Sequence, residues 1–153
     1  MTDARAVPAQ LRVGLLGTGW AAERHARALQ AHPAAELAAV ANWREESLAR
    51  MAERFGVSRT TTDWRELAAA PDIDAVVIAT PNALHAPQAV AVLEAGKSVM
   101  VEKPMAASLD QARGMVEAAD RAPGWLMVRT AGGFILTCGG CASGSRPDGW
   151  ARW

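Results

Sequence analysis

Three short segments of the chain carry the residue types that chemistry needs. Gly17-Thr18-Gly19-Trp20-Ala21-Ala22 has the spacing of a glycine-rich phosphate loop, with Ala at the third glycine position, a variant that the pattern tolerates. The first glycine permits a tight turn and the second leaves room for a diphosphate beside the backbone. The helix start that follows offers unpaired N–H groups and the positive end of its dipole. An apolar run, Leu11-Arg12-Val13-Gly14-Leu15-Leu16, comes before the loop and residues of helical composition come after it. A strand-to-helix turn without a ligand is the bland alternative, and this setting favours phosphate binding over it.

About twenty residues beyond the loop, a dinucleotide with a free ribose 2′-hydroxyl calls for a carboxylate to accept from it. The chain has Asn42-Trp43-Arg44 there. A carboxylate would repel a 2′-phosphate, whereas Asn42 can donate to one and Arg44 can grip it or stack on adenine. NADP is therefore favoured over NAD, the alternative being that Arg44 is a solvated residue at a helix start. Thr80-Pro81-Asn82 leaves another apolar run: Pro81 stops the strand, Asn82 can cap the next helix, and His85 falls in its first turn. A ring bonded to a nearby carbonyl accounts for His85 as well as a ligand contact does. Glu102-Lys103-Pro104 sets an acid, a base and a rigid bend at a further strand end. Such a Glu-Lys pair is usually solvated, but open parallel sheets place their ligands at strand ends like this one.

The elements that must position these segments alternate in type. Leu11 to Leu16, Leu37 to Ala41, Ala75 to Ala79, Ser98 to Val101 and Trp125 to Val128 are mostly apolar without alternation, as strands covered on both faces are. Trp20 to Gln30, Arg44 to Phe55, Trp64 to Ala69, Ala83 to Ala95 and Leu109 to Ala119 have the Ala, Leu, Glu and Arg content of helices. Asp63 with Glu66 and Ser108 with Gln111 have the spacing of capping boxes, and Gly56 and Gly96 sit where a left-handed residue closes a helix. The alternation predicts an α/β fold, a Rossmann-type doubly wound parallel sheet with an irregular C-terminal tail.

Composition narrows the partners. The chain has 153 residues, half of them hydrophobic, and its 16 basic and 16 acidic side chains cancel. It lacks the basic footprint that nucleic acids or anionic membranes require, so neither is expected as a partner. No apolar stretch approaches the ~20 residues that span a bilayer, and Met1 to Gln10 lacks the layout of a signal peptide. A cytoplasmic protein is expected.

Taken together, Gly17-Thr18-Gly19-Trp20, His25, Thr80-Pro81-Asn82-Ala83-Leu84-His85, Ala95-Gly96-Lys97 and Glu102-Lys103-Pro104 resemble the amino-terminal domain of the Gfo/Idh/MocA oxidoreductases. Glucose-fructose oxidoreductase and inositol dehydrogenases belong to that family. The resemblance covers residues 9 to 128, which it identifies as an NAD(P)-binding Rossmann domain. It implies hydride transfer between a nicotinamide dinucleotide and a sugar, cyclitol or related polyol. It further implies that Gly17 to Ala21 hold the diphosphate and that Asn42, Trp43 and Arg44 select the ribose. Thr80, Pro81, Asn82 and His85 would line the nicotinamide side, and Glu102 would contact the cofactor ribose. Lys103 would lie between nicotinamide and substrate as the catalytic group, hydrogen-bonding the reacting oxygen. A free-standing nucleotide- or CoA-binding module without catalysis is the alternative, and it has no need of Lys103.

The chain departs from the family after Val128. Family members continue into a second, substrate-binding domain that carries an Asp-x-x-x-His pair; here that domain is absent, so activity and any oligomer are expected only of a longer form. Both cysteines, three of the six tryptophans and six of the thirteen glycines fall in the last 29 residues. Residues 129–153 are therefore expected to be a disordered, non-family tail. Read in an adjacent frame, Thr130 to Leu136 permits a run like the family's own Arg-Arg-Phe-His-Pro, which suggests one lost base near the codon for Arg129. The competing view makes Cys138-Gly139-Gly140-Cys141 a metal or redox site. Two ligands with no His after them fall short of a structural zinc site, so no metal is expected.

Overall fold

The computed structural model of the chain describes residues 10–130 and 133–138. Seven strands form one sheet: β1 (Leu11–Leu16), β2 (Ala35–Ala41), β3 (Thr60–Thr61), β4 (Ala75–Ile78), β5 (Ser98–Val101), β6 (Trp125–Thr130) and β7 (Gly133–Cys138). Five helices connect them: α1 (Trp20–Ala31), α2 (Glu45–Phe55), α3 (Trp64–Ala69), α4 (Asn82–Glu94) and α5 (Leu109–Arg121). The sheet order is β3-β2-β1-β4-β5-β6-β7, parallel from β3 to β6. Strand order reverses between β1 and β4, which opens a crevice at their carboxyl ends.

Helices cover both faces, so the strands are apolar on both sides. Val13, Leu15 and Val77 pack with Ala22, Ala26, Leu48, Met51 and Phe55 under α1 and α2. Leu16, Val76, Ile78 and Val99 pack with Leu67, Ala89, Leu93, Met115 and Ala118 under α3, α4 and α5. Ala22, at the third glycine position of the loop, is fully buried, and a larger residue there would hold α1 off the sheet.

Helix ends follow the local chemistry in most places. Asp63 accepts from the Arg65 N–H and Ser108 from the Gln111 N–H, while Gly56 closes α2 with φ +64°. Neither box is reciprocal: Glu66 accepts from the Thr61 hydroxyl and Gln111 from the Ala107 N–H. Asn82 does not cap α4. Pro81, extended at φ −58° and ψ 143°, occupies the cap position, and Asn82 is the first helical residue.

Part of the segment expected as tail, residues 129–130 and 133–138, lies in strands. β6 runs on through Arg129 and Thr130, and β7 pairs antiparallel with all of it, from Thr130↔Gly133 to Trp125↔Cys138. Phe134-Ile135-Leu136 supplies the β-propensity, and Gly133, at φ +144°, is the first residue of β7. Residues 139–153, Cys141 among them, lie outside the described residues, so the expectations for the Cys138–Cys141 pair and for the frame beyond residue 138 fall outside them too.

Candidate functional site

The glycine loop begins with the backbone of β1. The Gly17 N–H donates to the Ala41 carbonyl at 2.8 Å, and the Ala79 N–H donates to the Leu16 carbonyl at 2.9 Å, so the ends of β2, β1 and β4 are locked side by side. Gly17 has φ +107°, and a Cβ there would lie 2.5 Å from the Ala79 carbonyl oxygen; both the turn and the close approach require glycine. Gly19 differs. A Cβ on it would meet nothing within 4 Å, so its open side faces a space that the protein leaves clear. Gly19 is the N-terminal cap of α1 and supplies no side-chain acceptor. The first N–H groups of α1 therefore point, unpaired by a cap, where an anion would sit.

That space is a cleft of about 600 Å³. Gly17 to Ala21 form one wall, Asn42, Trp43 and Arg44 another, and Thr80 and Pro81 a third. Trp43 is 68% exposed, with the Arg44 guanidinium 4.3 Å above its ring centroid. Trp20 is 71% exposed, with Arg24 4.7 Å above its ring. Both tryptophans line this cleft, and an exposed indole face suits a planar ligand.

A second cavity of about 430 Å³ opens beside the first and shares Trp20, Ala21, Ala79 and Thr80 with it. Asn82, His85, Glu102, Lys103 and Arg129 complete its lining. The fourteen expected cofactor-binding and catalytic residues, from Gly17 to Lys103, thus line these two adjoining cavities. His85 is buried, and its two ring nitrogens bond the Pro104 carbonyl and the Thr80 carbonyl, each at 2.8 Å. The ring ties the Glu-Lys-Pro turn to the end of β4.

Glu102 is not a solvated partner of Lys103. His25 Nε2 donates to Glu102 Oε1 at 2.8 Å, Arg129 lies 3.3 Å from the same oxygen, and the Lys103 N–H donates to Oε2 at 3.3 Å. Burial pushes the carboxyl up, but the His25 hydrogen bond, the charges of Arg129 and His25 and the Lys103 N–H outweigh it and hold Glu102 below its ordinary value. Arg129, expected in a disordered tail, is brought to Glu102 because Val101 and Val128 are paired in register.

Several lining residues are not among the expected site residues, with Ser47, Gln88 and Arg129 the ones that carry polar or charged groups on helices α2 and α4 and strand β6. Arg129 falls in the segment expected as tail, and Ser47 and Gln88 fall within stretches of helical composition. For Gln88 a trace existed in the sequence, since it stands one helical turn beyond His85. Among the described residues no group of three His, Cys, Asp or Glu side chains could hold a metal ion, and no helix is long and apolar enough to cross a membrane.

Comparison with known proteins places this geometry. The profile of the oxidoreductase family with an NAD-binding Rossmann fold matches residues 11–130. Levoglucosan dehydrogenase of Pseudarthrobacter phenanthrenivorans is 40% identical over 116 residues, covering 71% of this chain and 30% of the relative. The scyllo-inositol 2-dehydrogenase (NADP(+)) of Bacillus subtilis is 34% identical over 109 residues, covering 71% and 33%. The crystal structure of the WlbA dehydrogenase from Bordetella pertussis, in complex with NADH and UDP-GlcNAcA, superposes with a TM-score of 0.75 at 35% identity, covering 78% and 37%. The chain thus spans about a third of the length of the relatives it matches.

Proposed function

The chain belongs to the Gfo/Idh/MocA oxidoreductase family as its nicotinamide-dinucleotide-binding Rossmann domain, and from that premise we propose that it is the cofactor half of an NADP-dependent sugar, cyclitol or polyol oxidoreductase. The observation that carries this is the continuity of the groove. The phosphate loop, the Asn42-Trp43-Arg44 strand end and the Lys103 end lie in two cavities joined at Trp20, Ala21, Ala79 and Thr80.

The residues present fit such a cofactor. Gly19 leaves a clear approach for a diphosphate, and the unpaired N–H groups of α1 would bind it. Trp43 and Arg44 would hold the adenine end, with Arg44 free to leave its stacked position and pair with a 2′-phosphate. His85 and Glu102 would fix the turn that carries Lys103. When bound, the nicotinamide ring accepts or donates a hydride. Lys103 at the other end of the groove would hydrogen-bond the oxygen of the reacting carbon and help move its proton.

Titrating NADP, NAD and CoA side by side tests the proposal. NADP should bind most tightly, NAD more weakly and CoA least. Tighter binding of NAD would remove the NADP assignment, and tighter binding of CoA would favour a non-catalytic module.

A further inference from the structure

Gln88 stands in the second turn of α4 and is 1% exposed. Its neighbours on that face, Ala89 and Val92, are fully buried and apolar, so a leucine would be the simpler choice there. A buried amide costs free energy unless both of its ends find partners. One end is satisfied: the Thr80 hydroxyl donates to Gln88 Oε1 at 2.6 Å. The other end, the Nε2 amide with two N–H donors, has no acceptor among the described residues. No buried side-chain nitrogen or oxygen in the described structure lacks a partner, so this nitrogen must be open to solvent. Gln88 is among the residues that line the cleft of about 600 Å³, with Gly17, Ala79 and Pro81.

We propose that Gln88 is a cofactor-binding residue whose amide N–H groups donate to an oxygen of the dinucleotide's diphosphate-ribose backbone, while its carbonyl fixes the hydroxyl of Thr80. The placement suits this task. Gln88 lines the larger cavity together with the four residues that both cavities share, Trp20, Ala21, Ala79 and Thr80. Those four side chains contribute one hydroxyl and one indole and otherwise no polar group, so Gln88 adds an amide donor beside them. By taking the Thr80 proton it also leaves that hydroxyl with lone pairs only, and Thr80 faces the smaller cavity as an acceptor. The inference rests on the dinucleotide assignment of the groove.

The test uses the 153-residue chain and NADP. In the unmutated protein, the Gln88 side-chain amide resonances, assigned by their loss in Gln88→Glu, should shift on titration with NADP. Gln88→Leu should bind NADP about three- to tenfold more weakly, the range of one neutral hydrogen bond. Gln88→Glu still accepts from Thr80 but turns a carboxylate toward the phosphates, so its loss should exceed that of Gln88→Leu. Side-chain resonances that do not move, or equal losses in the two variants, would overturn the proposal and leave Gln88 as a packing residue. Failure of the unmutated protein to bind any dinucleotide would instead overturn the assignment of the groove, and the Gln88 inference with it.

Discussion

The two ends of the groove are built on opposite plans. At the glycine-loop end the polar groups are backbone N–H groups and exposed side chains that await a ligand: the α1 N-terminus has no side-chain cap, and Trp43 and Arg44 stack on each other at the surface. At the Lys103 end the polar groups are already tied together. His85 bridges two carbonyls, and Glu102 is shared by His25, Arg129 and the Lys103 N–H. The first end gains its order from what binds, whereas the second is preorganised before anything binds. Substitutions that block or remove the open groups at the first end should therefore alter binding with little effect on stability, and substitutions that untie the bonded groups at the second should lower stability.

The largest expected effect is at Gly19. Gly19→Val places a side chain in the space that the protein leaves clear, so NADP and NAD affinity should each fall by at least about a hundredfold, near 3 kcal/mol, while the melting temperature stays put. Gly17→Val is the contrasting control: at φ +107° and against the Ala79 carbonyl, it should cost about 1 to 3 kcal/mol of stability. Retained affinity in Gly19→Val would make the loop only a turn. Arg44→Ala should weaken NADP by about 1.5 to 3 kcal/mol, the range of a charge-assisted hydrogen bond, and leave NAD nearly unchanged in calorimetric titration. Equal losses for both cofactors would break the 2′-phosphate assignment.

At the preorganised end, Glu102→Gln should lower unfolding stability by about 1 to 3 kcal/mol, since it leaves Arg129 and His25 without a charged acceptor. The pH dependence has a definite sign. Glu102 is held below its ordinary value of 4.5, so its contribution is complete above that pH and disappears as the pH falls through the folded-state value. Denaturant melts of the protein and of Glu102→Gln should therefore converge in acid; a gap that widens there would contradict the network. The smallest effect is expected outside both ends. Ser108→Ala removes the cap of α5 and should cost about 1 kcal/mol without changing NADP affinity.

The same contrast explains what the sequence revealed. The glycine loop was legible because its chemistry is backbone geometry, written in consecutive residues, and the strands were legible because burial on both faces leaves unbroken apolar runs. Thr60–Thr61 was missed because a two-residue strand has no period to detect. Pro81 in place of Asn82 at the α4 cap was missed because residue preference alone does not fix the backbone angles that a proline imposes. The network at Glu102 was beyond reach. His25 lies 77 residues away in the chain, and only the crossover from β1 to β5 brings it close. β7 was missed because its apolar run is flanked by glycines, and the pairing that makes it a strand is supplied by β6.

The account stands or falls on one ligand spanning both ends. Amide chemical-shift mapping of the 153-residue chain during titration with NADP tests it most directly. The account predicts one saturating set of shifts that includes Thr18 to Ala22, Trp43 to Arg44 and Glu102 to Lys103, with the α5 amides unmoved. Shifts confined to one end, or centred away from the glycine loop, would contradict it.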